Sequence, residues 1–544
     1  EAPAAGAALS WLLPGALPGF PCIAFGWGGA AASDAAALSA VLRAEVLWWP
    51  APRADALEAE AAVDLRGLAP PAAGRLLSLA LERFGAEGAA ALAPPGQTAQ
   101  AAAELGFTVR EGPEHLRPEA LRRLVATAEA SPAHWAAHWA AHWAALGGVE
   151  VLTEAGAPDP AAWLARARFV DPWRGTPCGA EQGLEALTFL RRAALANARQ
   201  AVTVGFSRWR RRNATPFLTG PAGPPLHRAT EVQATRTARR IAGRLAVWGM
   251  RELEASDAPE AVRLEDGFVR SVGLGLQHAP PASLAVDREG LYFDASRPTD
   301  FERIAREATF TPALLARAKA LRERLVALRI TKYNLARSEP LPEAPAGRRR
   351  ILVPGQVEGD ASLRWGSPDV HRNAELIRRA RARSPDAFLL YKPHPDVLTG
   401  LRRGAVDEAT LALADGVAAE ASAAACLDWA DEVETMTSLM GFEALLRGRA
   451  VATHGRPFYA GWGLTTTAGA AFDRGRTLSL DALTAAALIL YPRYIDPATR
   501  LPAPPERVLE WLHEERAFVS TPQGRARQAW RMGLSRLLNL GRRG

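Results

Sequence analysis

Residues 263–275 read RLEDGFVRSVGLG, and they set two carboxylates, Glu265 and Asp266, side by side before a glycine. Apolar residues flank the pair and Arg270 follows four residues after Asp266. Ordinary surface charge is rarely framed this way, because the pair sits at what reads as the end of a buried strand. Further on, YKPHPDV places Lys392, His394 and Asp396 after another apolar run. Pro393 and Pro395 fix the backbone there, so the side chains are held at low entropic cost. Lysine and histidine can both meet a phosphate. The stretch TMTSLMGFEAL puts Thr437 and Ser438 at a strand end where a helix begins. Hydroxyls and free N–H groups at such a junction make a phosphate site without a glycine-rich loop. Taken singly, Ser438 reads equally well as a helix cap and His394 as a loop residue. Taken together on one lobe, they favour a phosphate ligand. No Walker motif is present and no Asp-x-Asp occurs in the chain, which argues against a metal-chelated nucleotide diphosphate.

The elements that must carry these residues alternate. QAVTVGF reads as a short buried strand, followed by the basic loop SRWRRR. RLAVWGM and AVRLEDGF read as two more strands. SLAVDREGLYFDA looks like a hairpin with Glu289-Gly290 at its turn, and TPALLARAKALRERLVALRI like a long helix. SEPLPEAPAGRRR is a polar, Pro-rich linker. Beyond it, RILVPGQ, DAFLLYKPHPDV, DEVETMTSLMGFEALLRGR and AVATHG give strands and a strand–loop–helix. The fold class is therefore α/β, with doubly wound lobes on either side of a linker. Ligands of such sheets sit beyond the carboxyl ends of the strands, where Asp266, Gln356, His394 and Ser438 all fall.

A chain of 544 residues, 48% hydrophobic and 23% charged, implies about three to four soluble globular domains. Lysine is confined to Lys319, Lys332 and Lys392; the arginine and alanine richness fits a GC-rich genome. Cys22, Cys178 and Cys426 are far apart and odd in number, so neither a disulfide framework nor a zinc spacing follows, and a reducing compartment is expected. The stretch ALSWLLPGALPGF lacks a basic leader and is broken by prolines and glycines, a poor signal peptide. No apolar run is long enough for a membrane span. The net charge of +7 is uneven, because no acidic residue follows Glu515. Residues 521–544 carry six arginines with Trp530 and four leucines, which reads either as a basic amphipathic helix for an anionic membrane or as a solvated terminus.

RYIDPATRLPAPPERVLEWL from Arg493 echoes RFVDPWRGTPCGAEQGLEALTFL from Arg168. A fainter echo links AFGWGG around Trp27 with AVWGM around Trp248. Residues 1–164 then read as a contracted copy that has lost its chemistry, the alternative being an unrelated domain. HWAAHWAAHWAA sets His134, His138 and His142 on one helix face. No Glu or Cys completes a zinc set there, and tandem expansion of a four-residue unit accounts for the spacing. No metal site is expected.

The order of a carboxylate pair plus glycine, then His-Pro, then Ser/Thr resembles that of bacterial CMP-sialic acid transferases of GT-B architecture. The resemblance is closer to the KpsC-type β-Kdo transferases of capsule synthesis. LEDGFVRSVGLG, VDREGLYFDASRPTDFE, TKYNL, ILVPGQVEGDAS, YKPHPDV, TMTSLMGFEALLRG, PFYAGWGLT and ILYPRYIDP all look like that family, over about residues 200 to 515. Such proteins usually carry two transferase modules in tandem, and the intact motifs here look most like the second.

The resemblance implies a GT-B-like pair of Rossmann-type lobes. On that reading 1–164 is the degenerate copy and 165–200 a helical connector. Residues 201–338 form the acceptor-side lobe with the nucleophile, and 346–480 the lobe that binds the donor. Residues 481–520 are helices packing back, and 521–544 the basic tail. The implied reaction is transfer of Kdo, an acidic eight-carbon sugar, from CMP-β-Kdo with retention. Retention needs two inversions, so Asp266 matches a nucleophile and Glu265 would orient it or raise its basicity. His394 and Lys392 would stabilise or protonate the departing phosphate, Thr437 and Ser438 would bind it, and Gln356, Pro395 and Glu443 would line the donor site. Arg270 would hold the Kdo carboxylate or pair with an acid. Tyr459 and Trp462 would stack on sugar faces or else pack between lobes. No metal or other cofactor is expected, and no nucleic acid. The implied partners are a Kdo-bearing glycolipid acceptor, capsule assembly proteins and the anionic inner-membrane surface, and the place is the cytoplasmic face of that membrane. A second reading keeps the chain as a non-catalytic scaffold of capsule assembly or export.

Overall fold

The computed structural model describes, apart from short breaks, residues 61–110 and 167–526. Before 167 it also describes the strands Ala8–Trp11, Ile23–Trp27, Arg123–Val125 and Glu150–Leu152. His134, His138, His142 and most of the basic tail lie outside the described residues. Two compact units are present. The first holds Glu1–Thr203, Ala214–Arg244 and Ala498–Leu501; the second holds Val204–Asn213, Leu245–Pro497 and Pro502–Gly544. Among the described residues no helix is long and apolar enough to cross a membrane.

The first unit contains two sheets. One is formed by β1 (Ala8–Trp11), β2 (Ile23–Trp27), β8 (Ala167–Val170) and β9 (Pro177–Cys178), in that order. The other is a parallel sheet of β3 (Ala61–Asp64), β4 (Ala90–Leu92), β5 (Thr108–Arg110), β6 (Arg123–Val125) and β7 (Glu150–Leu152), in the order β5-β4-β3-β6-β7. Leu76, Leu77, Ala80 and Phe107 pack against Val63 and Ala91 of its central strands to form the core. The short strands β10 (Ala201–Val204) and β11 (Leu226–Arg228) neighbour each other.

The second unit holds two lobes. In one, β12 (Arg244–Trp248), β13 (Ala261–Asp266), β14 (Ser283–Asp287) and β21 (Pro492–Tyr494) lie side by side. β12 and β13 are parallel, whereas β14 runs antiparallel to both β13 and β21. The other lobe is parallel throughout. It comprises β15 (Arg350–Pro354), β16 (Phe388–Lys392), β17 (Gly416–Val417), β18 (Glu432–Thr435), β19 (Ala450–Thr453) and β20 (Thr466–Thr467), ordered β17-β16-β15-β18-β19-β20. Parallel strands covered on both faces read as continuous apolar runs, and ILVP and FLLY are buried at every position. The class is the expected one: α/β with Rossmann-like lobes.

The expected hairpin after β14 does not form. Asp287 accepts the backbone N–H groups of Glu289 (2.9 Å), Gly290 (2.9 Å) and Asp300 (3.0 Å) on its carboxylate, and the phenol of Tyr491 at 3.0 Å. This buried hub turns the chain into a loop, so Leu291–Asp294 cannot return as a strand. The sequence LYFDA looked like a strand because its aromatics are buried, but they are buried as loop residues.

The two units echo each other in connectivity. Numbered from its own first strand, the parallel sheet runs 3-2-1-4-5 in both units, with a sixth strand added in the second. In the first unit β2 lies antiparallel between β1 and β8; in the second β14 lies antiparallel between β13 and β21. Gly26 faces Arg168 and Leu284 faces Arg493, so the arginines of the stronger sequence echo occupy the same step. The aspartate after each strand reaches the following helix: Asp171 accepts from Gln182 at 3.1 Å, Asp496 from Arg507 at 2.7 Å. The fainter echo fails, because Trp27 ends β2, the counterpart of β14, whereas Trp248 ends β12.

Candidate functional site

A cavity of ≈ 450 Å³ opens within the second unit, at the carboxyl ends of β12, β13, β15, β16 and β18. Of the expected residues, Glu265, Asp266, Arg270, Gln356, Lys392, His394, Pro395, Thr437, Ser438 and Glu443 line it. Tyr459 and Trp462 do not.

β13 ends at Asp266, and the following residue must be glycine. A Cβ on Gly267 would lie 2.2 Å from the Ser283 hydroxyl on the neighbouring strand. Arg270 is almost fully buried, and its Nε donates to Asp266 Oδ2 at 2.6 Å. Of its two expected roles, pairing with an acid is the one the structure holds. The other oxygen, Asp266 Oδ1, has no hydrogen-bond partner among the described residues. Glu265 Oε1 accepts the Asp266 backbone N–H at 3.0 Å. Burial, reinforced by the Asp266 charge, pushes the Glu265 carboxyl up to about 7.

Sequence reasoning assigned no role to Lys332, which also lines the cavity. Its burial disfavours the charge, yet Tyr333, Tyr292, Asp266 and Glu265 outweigh it and the ammonium's pKa is raised. Lys332 thus joins Arg270 as a cation acting on the carboxylate pair. Its backbone N–H donates to Glu443 Oε1 at 2.8 Å, tying it to the other lobe. The signal available was the scarcity of lysine: two of the three in the chain line this cavity.

On the parallel lobe, His394 Nδ1 accepts the Asp396 backbone N–H at 3.1 Å, which leaves Nε2 to carry the proton of the neutral ring. Burial lowers the His394 pKa and Lys332 adds to the effect, against Asp396. The ring is therefore a neutral donor at neutral pH. Lys392 is committed to structure: its Nζ donates to the Ala418 and Ala421 carbonyls at 3.2 and 2.6 Å. Gln356 is also a clamp. Its Nε2 donates to Thr437 Oγ1 at 3.0 Å, and its Oε1 accepts the Thr437 N–H at 2.9 Å. Ser438 caps the helix Leu439–Leu446, its hydroxyl accepting the Met440 N–H at 3.2 Å. Glu443 is buried in that helix, and burial, against Arg447 and the Lys332 N–H, pushes its carboxyl up to about 7.

Tyr459 and Trp462 are fully buried, which excludes stacking on a ligand in this cavity. The Tyr459 phenol donates to the Ser438 carbonyl at 2.6 Å, and a Cβ on Gly441 would fall 2.2 Å from that oxygen. Tyr459 thus braces the Ser438 turn from behind. Trp462 donates to the Phe458 carbonyl and packs under Arg474.

Comparison with known proteins follows the same division. A family model described as capsule polysaccharide biosynthesis protein matches residues 250–494. The capsule polysaccharide modification protein LipA of Neisseria meningitidis serogroup A is 37% identical over 391 residues, covering 70% of this chain and 55% of LipA. The lipopolysaccharide-processing protein LpsZ of Rhizobium meliloti is 43% identical over 257 residues, covering 45% of this chain and 58% of LpsZ. The chain thus spans little more than half the length of either relative. The solved Thermosulfurimonas dismutans KpsC, beta Kdo 2,4 transferase, is 32% identical with a TM-score of 0.50, covering 57% of this chain and 97% of that one. This likeness makes the fold GT-B-like, and the chain belongs to the KpsC-type family of capsule polysaccharide biosynthesis proteins.

Proposed function

We propose that the chain is a retaining β-Kdo transferase that uses CMP-Kdo to extend a Kdo linker on a capsule glycolipid. The observation that carries this reading is Asp266. One carboxylate oxygen is fixed by Arg270, the other is buried without a hydrogen-bond partner among the described residues, and the residue lines the cavity. In the first displacement a carboxylate oxygen of Asp266 bonds to the anomeric carbon as the bond from that carbon to the CMP oxygen breaks. His394 Nε2–H and the turn at Thr437–Ser438 meet the departing phosphate. In the second displacement an acceptor hydroxyl bonds to the same carbon, the bond to Asp266 breaks, and Glu265 takes the hydroxyl proton. Lys332 offsets the charge of the carboxylate pair throughout. A monophosphate leaving group needs no metal in this scheme. A passive scaffold gives no account of a cavity-lining carboxylate that an arginine holds by one oxygen while the other has no partner among the described residues.

The experiment is transfer from CMP-Kdo to a short Kdo-terminated acceptor by the purified chain, with and without EDTA. Turnover that survives EDTA, and a covalent Kdo adduct on Asp266 found by mass spectrometry after incubation with donor alone, support the reading. Turnover without any adduct and with strict dependence on a divalent ion refutes the double displacement. We assign residues 521–544 to an anionic membrane surface at the cytoplasmic face. Salt-sensitive binding to anionic vesicles that is lost on deleting these residues is the expected result.

A further inference from the structure

Among the residues that line the cavity without a role in the donor chemistry are Trp209, Arg210 and Trp248. Trp248 ends β12 directly opposite Leu264, one step before Glu265 on β13. A Cβ on the next residue, Gly249, would lie 3.8 Å from Glu265 Oε2, which shows how close the two strand ends are. The Phe206 ring meets Trp248 edge-on at 6.0 Å and steadies it. The Arg210 guanidinium lies over the Trp248 ring, 5.1 Å from its centroid. A stacked guanidinium keeps its in-plane N–H groups for other partners. Arg210 is exposed, and among the described residues no carboxylate pairs with it. It stands in the helix Arg208–Leu218, which begins RWRRR and has no acid in its first turn.

We propose that Trp209, Arg210 and Trp248 form the acceptor subsite and that it takes a sugar carrying an anionic group, a carboxylate or a phosphate. The inference rests on the transferase reading above and specifies its second substrate. Indole faces suit the apolar face of a sugar ring, and a planar guanidinium suits a two-oxygen anion. The leaving-group groups, His394, Thr437 and Ser438, belong to the other lobe, so donor phosphate and acceptor anion are read by different elements. The place fits the chemistry, because an acceptor held on Trp248 lies next to Glu265, the group that receives its proton.

The test measures binding to the full chain with CMP at saturation, which fills the donor phosphate site. The probes are the methyl glycoside of Kdo, its carboxamide, and a simple sugar phosphate, titrated by NMR. The acid is expected to bind the native chain at least about tenfold more tightly than the Arg210→Gln chain, as for a lost charged hydrogen bond. The carboxamide should bind both chains equally weakly. Arg210 is a surface side chain, so the variant should keep the native melting temperature; Arg210→Lys should recover part of the affinity through charge alone. A sugar phosphate with the same dependence marks phosphate as the group read. Equal binding of acid and carboxamide, equal binding by native and Arg210→Gln chains, or no binding of any probe overturns the subsite. Arg210-dependent binding in a chain that transfers nothing leaves the subsite standing and removes the transferase reading.

Discussion

Glu443 links the charge of the site to the stability of the protein. Its carboxyl is raised from the ordinary 4.5 to about 7, so the folded chain keeps a proton that the unfolded chain has already released between those values. Its contribution is fully present below pH 4.5 and is lost as pH rises to about 7. Glu443→Gln keeps the oxygen that accepts the Lys332 N–H and removes the buried charge. The variant should match the native chain at pH 4.5 and exceed it by about 3 kcal/mol at pH 8, read from denaturant midpoints. Equal stability of variant and native chain at both pH values would show that folding does not raise the Glu443 carboxyl. His394 and Ser438 separate two roles that look alike in the sequence. His394→Ala should weaken CMP binding by about 1–3 kcal/mol through the lost Nε2 donor, with a smaller loss of stability from the acceptor it takes from the Asp396 N–H of the four-residue helix Pro395–Leu398. Ser438→Ala should cost about 1 kcal/mol of stability as well, because its hydroxyl caps a helix. Calorimetry and melting on both variants separate the two effects. At this scale the sequence revealed residue type and strand-end position but not commitment. Lys392 and Gln356 spend their polar atoms on the protein's own backbone and side chains, and only folded neighbours could show it.

Three connections do the positioning at the scale of elements. Asn373 fixes the turn after β15, accepting the Gln356 N–H at 2.9 Å and donating to the Gln356 and Gly404 carbonyls. Gln356 then grips Thr437, and Tyr459 braces Ser438 from behind. The turn at Thr437–Ser438, the proposed phosphate site, is therefore held from two sides. Gln356→Ala leaves the Thr437 N–H and hydroxyl buried without this partner. A loss of about 2–3 kcal/mol in stability and about tenfold or more in CMP affinity is expected. Unchanged affinity in a melted-down variant would mean that the turn is set by Tyr459 alone. The strands and this turn were legible because proline and glycine punctuate them and because both-face burial produces unbroken apolar runs. Tyr459 and Trp462 were misplaced because an aromatic-glycine stretch has the same composition whether it lines a cleft or fills a core. The loop after β14 was misread for a related reason: nothing local to Glu289-Gly290 reveals that Asp287 gathers three backbone N–H groups, one of them from Asp300.

Across the whole molecule the strand register matches the proposed nucleophile to its counterpart in the first unit. Leu284 on β14 faces Asp266, and Gly26 on β2 faces Ala8. The other neighbours of Leu284 and Gly26 are Arg493 and Arg168, the matching residues of the sequence echo, so the comparison is anchored on both sides. Ala8 therefore stands at the step where the second copy has Asp266, the nucleophile proposed above, and a methyl group cannot form a glycosyl ester. The echo at Arg168 and Arg493 was visible in the sequence because a strand, an aspartate and a helix recur in order. The replacement at Ala8 was not, because strand register is set by pairing partners far away in the chain. The full chain should accordingly make one kind of linkage, seen as a single new anomeric pattern in the NMR spectrum of the product. Asp266→Asn in the full chain preserves size and should lower transfer by at least about 10³-fold with no residual second linkage. A second linkage type that persists in this variant would mean that the first copy supplies a nucleophile from elsewhere, and that connectivity without Asp266 is enough for catalysis there.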